Sequence, residues 1–408
     1  MDFFNLKSFC IFGNMARLIN LKTFKEFFSS SSAGGILLLA CVAVSLIIAN
    51  SPSAIDFNDF LNREVGFNAG NIHLKYSISL WINDGLMAVF FLLVGLEIKR
   101  EIVEGELSSL RHASLPVLAA LGGVIVPALI YTGFNSGQPT VHGWGIPMAT
   151  DIAFALGILS LLGDKVPSGL KVFLAALAIV DDLMAILVIA IFYSSELHYE
   201  YLMYAGGVFA LLIAFNRFGV KNITMYLIPG AVMWYLIHHS GIHATIAGVL
   251  TAITLPTTED DTESPLEKLE HALTKPVNFL IMPIFAIANT NITFEDGMVE
   301  GLAGSVGLGI VLGLFLGKPL GIFLMSWLSV KLKAAELPEG ARWLDILGLG
   351  LLGGIGFTMS IFIALLSFDE VALQAEAKFA ILVASVLSGI CGFVLLKLYN
   401  GRKKIQAA

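Results

Sequence analysis

Charge is what this chain has least of: Asp, Glu, Lys and Arg together make up 13% of its 408 residues, about half the share in an ordinary soluble domain. With 57% hydrophobic residues and a mean hydropathy of +0.83, that scarcity excludes a water-soluble globular protein and leaves a polytopic membrane protein. Cysteine is nearly absent. The three present, Cys10, Cys41 and Cys391, stand far apart, the last two inside apolar stretches, which excludes a disulfide frame and a thiolate metal cluster. They read as small core hydrophobes. The net charge of -7 offers no basic face for nucleic acid, because Lys and Arg lie mostly at segment ends and in short loops. The stretch up to about Lys25 holds only the short apolar patch Phe9 to Phe12, too brief for a secretory leader, and reads as a cytoplasmic lead-in. Nucleotide machinery is missing as well. Gly313-Leu314-Phe315-Leu316-Gly317-Lys318 has three residues between its glycines where a P-loop needs four, and Pro319 stands where Ser or Thr should meet magnesium. Neither ATP, a resident cofactor nor enzymatic chemistry is expected, so the fuel must be an ion gradient.

What is present is a series of long apolar runs. Stretches of about 17 to 25 apolar residues number twelve, near 33–50, 79–98, 113–134, 146–163, 170–193, 201–216, 223–238, 241–256, 277–293, 302–328, 343–367 and 377–399. Of the 24 Lys and Arg, only Arg63, Lys75 and Lys378 fall at or beside odd-numbered loops, and only Lys318 lies near the middle of a segment. The positive-inside rule then puts both termini in the cytoplasm. Residues 1–32 form the lead-in, 33–399 the membrane domain and 400–408 a basic cytoplasmic tail. The first external loop, 51–78, carries the one strand signal: Val65 and Phe67, then Ile72, Leu74 and Tyr76, alternate with polar residues around Asn68-Ala69-Gly70-Asn71, a hairpin pattern. A two-stranded ribbon is marginal alone, so it either pairs with another subunit or is a plain external decoration. The loop from Thr257 to Lys275, with Glu259, Asp260, Asp261 and Glu263, is the most charged cytoplasmic connection and reads as solvated.

The fourth and eleventh segments make poor continuous helices. The fourth holds Pro147 and then Thr150-Asp151, and the eleventh holds Gly353-Gly354-Ile355-Gly356 followed by Thr358 and Ser360. Seven crossings separate them, an odd number, so segments 3 to 5 and 10 to 12 run in opposite senses. Interrupted segments at matching positions of an inverted repeat point to a midplane binding site. Half-helix ends meeting there need compensating charge: Asp151 suits the positive N-terminal ends, and Lys318, near the centre of the tenth segment, the negative ones.

Asp181 and Asp182 sit at the middle of the fifth segment, where insertion scales charge an aspartate roughly 2.5–3.5 kcal/mol. Neighbours on a helix project about 100° apart, so the two divide the work: one pairs with Lys318 and the other faces a water-filled cavity and the transported ion. Carboxylates, the Thr150 hydroxyl and freed carbonyls suit a hard cation, with sodium or lithium the best fit and Asp182, Asp181 and Thr150 its ligands. A carboxylate so placed holds either a proton or the cation, and competition for one site gives exchange.

Here the residues resemble the NhaA family of bacterial sodium/proton antiporters. The resemblance rests on Trp81-Ile82-Asn83-Asp84, Phe90-Phe91-Leu92-Leu93-Val94-Gly95-Leu96-Glu97, Ala149-Thr150-Asp151-Ile152-Ala153-Phe154, Ala178-Ile179-Val180-Asp181-Asp182, Gly241-Ile242-His243-Ala244-Thr245, Gly317-Lys318-Pro319-Leu320-Gly321 and Gly354-Ile355-Gly356-Phe357-Thr358-Met359-Ser360. It implies an all-α protein of twelve helices with inverted-topology repeats, crossed and unwound helices 4 and 11, a periplasmic hairpin and a homodimer in the inner membrane. It also implies electrogenic exchange of more protons than sodium or lithium ions. The family's ion and proton carriers match Asp182 and Asp181, its crossing Thr150 and Asp151, and its lysine partner Lys318. Its pH-response region matches Glu97, Arg100, Glu101, Glu270 and His271, with His243 also implicated. This chain departs at Glu267, where the family often has a basic residue, and at Thr274, where it often has a histidine.

Two rivals are weighed by residues. An intramembrane aspartyl protease needs its aspartates on separate helices with one in Gly-x-Gly-Asp, and here they are adjacent without that motif. A sodium-coupled solute symporter shares the inverted-repeat architecture, and Lys318 beside the acid pair argues for proton traffic instead.

Overall fold

Long runs of Leu, Ile, Val and Ala can keep their backbone N–H and C=O groups satisfied in lipid only as helices or closed barrels, and here they form helices. The computed structural model describes residues 33–401 except Asn71, residues 195–196 and 258–262, and Asp296. The lead-in 1–32, Cys10, the acidic trio Glu259, Asp260 and Asp261, and tail residues 402–408 therefore lie outside the described residues. In chain order the elements are α1 (Ala33–Ala49), α2 (Ala54–Asn62), β1 (Glu64–Ala69), β2 (Ile72–Ser77), α3 (Ile78–Val103) and α4 (Leu110–Asn135). A 3-10 helix (Pro139–Met148) then leads to α5 (Ile152–Leu161), followed by α6 (Ser168–Phe192), α7 (Tyr199–Arg217), α8 (Thr224–His238) and α9 (Ile246–Thr254). The last group is α10 (Pro265–Asn289), α11 (Ser305–Lys331), α12 (Trp343–Gly353), α13 (Phe357–Ser367) and α14 (Val371–Gly401).

Among the described residues, seven helices are long and apolar enough to cross a membrane, and two bent pairs, α1–α2 at 110° and α12–α13 at 48°, raise the number to nine. At the expected sixth to eighth positions stand the shorter α7, α8 and α9, of 19, 15 and 9 residues.

Two local expectations need correction. The first external loop is not purely loop and hairpin, because α2 occupies Ala54–Asn62 with Leu61 buried. The connection 257–275 is helical from Pro265 onward: Ser264 accepts from the Glu267 N–H, the Glu267 carboxylate accepts from the Ser264 N–H, and Pro265 takes the first helical position. Such a capping box with Pro at N1 starts a helix whatever the surrounding charge. The acid at Glu267 is thus held by its own helix start. The hairpin forms as its pattern predicts, antiparallel from Glu64 opposite Ser77 to Ala69 opposite Ile72, with its turn residue Asn71 outside the described residues.

Packing divides into two cores. The larger joins α4, α6, α10, α11, α12, α13 and α14 with one face of α3, through Phe90, Phe91, Leu93 and Val94. The smaller joins α7, α8, α9 and the start of α10 to the other face of α3, through Leu92 and Leu96. α3 is therefore the strut between them. Backbones approach closely where α4 meets α11: a Cβ on Gly122 would lie 2.2 Å from the Gly321 carbonyl oxygen, and one on Gly321 2.0 Å from that of Gly122. Only hydrogen fits there, as in small-residue contacts of membrane helices generally. That contact seats Lys318, one turn earlier on α11, deep against its neighbours.

Candidate functional site

The interruption between Met148 and Ile152 and the one between Gly353 and Phe357 meet in the interior. The Asp151 N–H donates to the Ile355 carbonyl at 2.6 Å, joining the two breaks backbone to backbone. Each break exposes helix ends, and each end has a partner. Asp151 caps α5 by accepting from the Phe154 N–H at 3.2 Å. Its other carboxylate oxygen accepts from the Thr358 N–H at 3.1 Å and from the Thr358 hydroxyl, so one buried carboxylate serves the N-termini of both α5 and α13. Negative charge at two positive dipole ends is the favourable sign. At the opposite ends, the Lys318 ammonium donates to the Met148 carbonyl, which closes the 3-10 helix, and Thr150 Oγ1 lies 2.9 Å from the Gly353 carbonyl that closes α12.

α6 presents the acid pair to this crossing. Lys318 Nζ lies 2.7 Å from Asp181 Oδ2, with neither side chain exposed, and Thr150 Oγ1 lies 2.6 Å from the same oxygen. A single hydroxyl proton serves either Asp181 or the Gly353 carbonyl, so Thr150 sits at a choice between them. Asp182 is enclosed at 3% exposure, and its Oδ1, like Asp181 Oδ1, has no hydrogen-bond partner. The pair is thus divided as adjacency on a helix requires, with Asp181 engaged and Asp182 unengaged. Bare buried carboxylate oxygens are costly and form a donor set of hard oxygens for a proton or an alkali cation. Among the described residues no cluster of three or more His, Cys, Asp or Glu has metal-holding geometry. Lys318 is positioned by a wide π-helical turn, Gly313–Gly317, directly before it. Pro319 lacks the N–H that a regular turn would use, and π-turns concentrate at functional sites.

Residues 25–396 match the family described as Na+/H+ antiporter 1. The chain is 73% identical over 396 residues to Na+/H+ antiporter NhaA 2 of Flavobacterium johnsoniae, covering 97% of each protein. It is 50% identical over 399 residues to NhaA 1 of Brucella anthropi, covering 96% of this chain and 98% of that one. It is also 50% identical to NhaA of Flavobacterium psychrophilum over 374 residues, 92% of this chain and 95% of that one. The chain belongs to the Na+/H+ antiporter 1 family.

Within this antiporter-family chain, the six residues singled out as a pH-response region separate into three places. Arg100 grips Glu270 through its Nε at 2.9 and 3.1 Å and reaches Glu101 at 3.3 Å. Glu97 lies one turn deeper on α3 than Arg100 and Glu101. His271 is not part of that group, pairing instead with Glu263 at the surface at 3.1 Å. His243 lies elsewhere again, 3.6 Å from Asp84 and edge-on to Phe362. Thr274 bonds its own helix, donating to the Glu270 carbonyl at 2.7 Å.

Sequence reading gave no role to four residues that the structure engages. Thr358 was visible only as a polar residue after a glycine run, and its role follows from lying beside Asp151. The Met148 and Ile355 carbonyls carry no side-chain signal at all. Asp84, held by His238 at 3.0 Å, had one: an acid inside an apolar run.

Proposed function

We propose that this chain extrudes sodium, and lithium, in exchange for protons through competition for the oxygens of Asp181 and Asp182. The observation that carries the reading is the unequal state of the two acids: Asp181 is paired with Lys318 at 2.7 Å, while Asp182 is buried, at 3% exposure, with an Oδ1 that no group satisfies. A carboxylate in that position holds a proton or a hard cation and does not rest bare. Sodium arriving from the cytoplasm displaces the proton and takes oxygens from Asp182, Asp181 and the Thr150 hydroxyl. As Asp181 turns toward the cation its pairing with Lys318 loosens, and Lys318 becomes a second group able to release a proton. More protons than sodium ions then move per cycle, and transport is electrogenic. Full-length similarity to proteins named Na+/H+ antiporter supports exchange and lends nothing to the solute symporter.

The architecture belonging to this reading is twelve crossings, with α7, α8 and α9 completing the set and the two interrupted helices as the unwound fourth and eleventh of an inverted repeat. The membrane domain runs from 33 to 399 between a lead-in and a basic tail. The Lys and Arg distribution supports cytoplasmic termini in a bacterial inner membrane, with the hairpin on the periplasmic side. The exposed Val65 and Phe67 on β1 support pairing of two hairpins in a homodimer. Glu97, Arg100, Glu101 and Glu270 form the cytoplasmic approach that tunes activity with pH, joined by His271 and His243 from the places described above. Solid-supported-membrane currents from purified protein test the whole: sodium alone evokes charge movement that an opposing pH gradient reverses. A strict requirement for an organic solute overturns exchange in favour of the symporter.

A further inference from the structure

A cavity of about 660 Å³ opens at the hairpin end of the larger core. Six of its lining residues carry amides. Asn58 comes from α2, Asn83 from α3, Asn289 from α10 and Asn291 from the chain just beyond it, with Glu376 and Lys378 from α14. Asn289 donates to Asn83 at 2.7 Å and Asn291 to Asn58 at 2.9 Å, so the amides are braced against one another. Among the described residues three charged side chains face the space: Glu295, Glu376 and Lys378. The Glu376 side chain lies against Gly301 and Gly304. Lys378 has no ion pair or hydrogen bond among the described residues, whereas Lys75, another basic residue of that face, is engaged by Glu64 at 2.8 Å.

The cavity stands above the acid pair. Asn83, Asn289 and Leu365 on its wall belong to α3, α10 and α13. Further in along the same three helices come Phe91, Phe285 and Phe362, whose rings meet at 5.6 Å between Phe91 and Phe362 and 6.2 Å between Phe285 and Phe362. One turn inward again on α13, Thr358 bonds Asp151. Along these helices the Phe91, Phe285 and Phe362 rings therefore stand between the amide cavity and the crossing.

We propose that Lys378 determines how readily alkali cations re-enter from the hairpin face. The cavity is the outer vestibule for the transported ion: amide and carboxylate oxygens suit a partly hydrated sodium ion, and the Lys378 ammonium, without a partner among the described residues, lowers the local cation concentration. A pump working outward gains from that arrangement, because released sodium is discouraged from rebinding. Lys378 acts as a positioning charge, without touching the reacting carboxylates. The proposal rests on the exchange reading above.

The test uses the full-length protein in oriented proteoliposomes, with sodium applied to either face and currents recorded. In Lys378→Gln the half-saturating sodium concentration at the hairpin face falls roughly three- to tenfold, the size of one partly screened charge at about 10 Å. In Glu376→Gln it rises by a similar factor, and in Lys378→Arg it stays at the parent value. Maximal current and half-saturation at the opposite face are unchanged in all three, and the shifts shrink as choline chloride raises ionic strength. Opposite signs from adjacent neutralisations are what a merely structural lysine cannot produce. If the two neutral variants move together, or shift neither, or move both faces equally while exchange continues, the vestibule is overturned and the exchange mechanism stands. A parent protein showing no sodium current without an organic solute instead removes the reading beneath it.

Discussion

Lys318 Nζ lies 2.7 Å from Asp181 Oδ2, inside a site where both side chains are wholly removed from solvent. Such a pair stabilises little against an apolar replacement, because desolvating two charges offsets most of their attraction. Its retention here therefore fits a functional demand, and each partner can be separated from the other by substitution.

Asp182→Asn is expected to abolish sodium-driven proton release in everted vesicles, since an amide cannot trade a proton for a cation. Asp181→Asn does nearly the same damage. Acridine-orange dequenching after a sodium pulse reads both, and retained release in Asp182→Asn refutes the assignment.

Lys318→Ala leaves Asp181 as a buried charge without compensation and strips the Met148 carbonyl of its partner. A loss of about 3–5 kcal/mol is expected, seen as a lower melting temperature in detergent. The double variant Asp181→Asn with Lys318→Met recovers much of that stability yet does not transport. Lys318→Arg keeps transport with a shifted pH profile, because guanidinium retains its proton where an ammonium can release one. Normal electrogenic exchange by Lys318→Ala makes the lysine structural only.

Thr358→Val removes a hydroxyl donor from Asp151 while keeping side-chain volume. The buried carboxylate then loses one charge-assisted bond, about 1.5–3 kcal/mol, and the register of α13 against α5 slackens. Thr358→Ser restores it. Turnover measured in proteoliposomes falls at least tenfold in the valine variant and stays within about twofold in the serine variant if the bond positions the crossing.

Gly321→Ala drives a methyl into the Gly122 carbonyl, where the available distance is 2.0 Å. Backbone cannot yield as a flexible side chain does, so overpacking costs about 1–3 kcal/mol and displaces Lys318 with it. Thermal melting and transport fall together. An unchanged melting temperature contradicts the close approach of α4 and α11.

Arg100→Gln leaves Glu270 without its cation at the end of α3. The pair is partly solvated, so fold stability changes by less than about 1 kcal/mol. The pH dependence of transport moves while the maximal rate holds, and recovery of the parent profile in Arg100→Lys ties the effect to charge.

Several features were legible from residues alone. Asp181, Asp182, Asp151 and Lys318 stood out because charge inside an apolar run is expensive wherever the helix packs. The hairpin at Glu64–Ser77 followed from alternation. The helix at Ala54–Asn62 escaped because it is short and lies outside the apolar runs, and the helix from Pro265 was overlooked although Ser264-Pro265-Leu266-Glu267 spelled out its start. His271 joined Glu270 in the sequence reading as its neighbour, but consecutive helical residues point about 100° apart, so the two entered different surroundings.

Composition and periodicity by themselves determined that the chain is helical and membrane-embedded, and how deep its few charges lie, because backbone satisfaction and charge desolvation in lipid are properties of each segment alone. Which acid meets Lys318, that Asp151 serves two helix ends, and that Thr150 stands between Asp181 and the Gly353 carbonyl were decided only by tertiary structure. Apart from the local cap on Phe154, those contacts join residues 31 to 207 positions apart. They depend on backbone approach at glycines and breaks, which a linear pattern marks without saying what will come to rest against them.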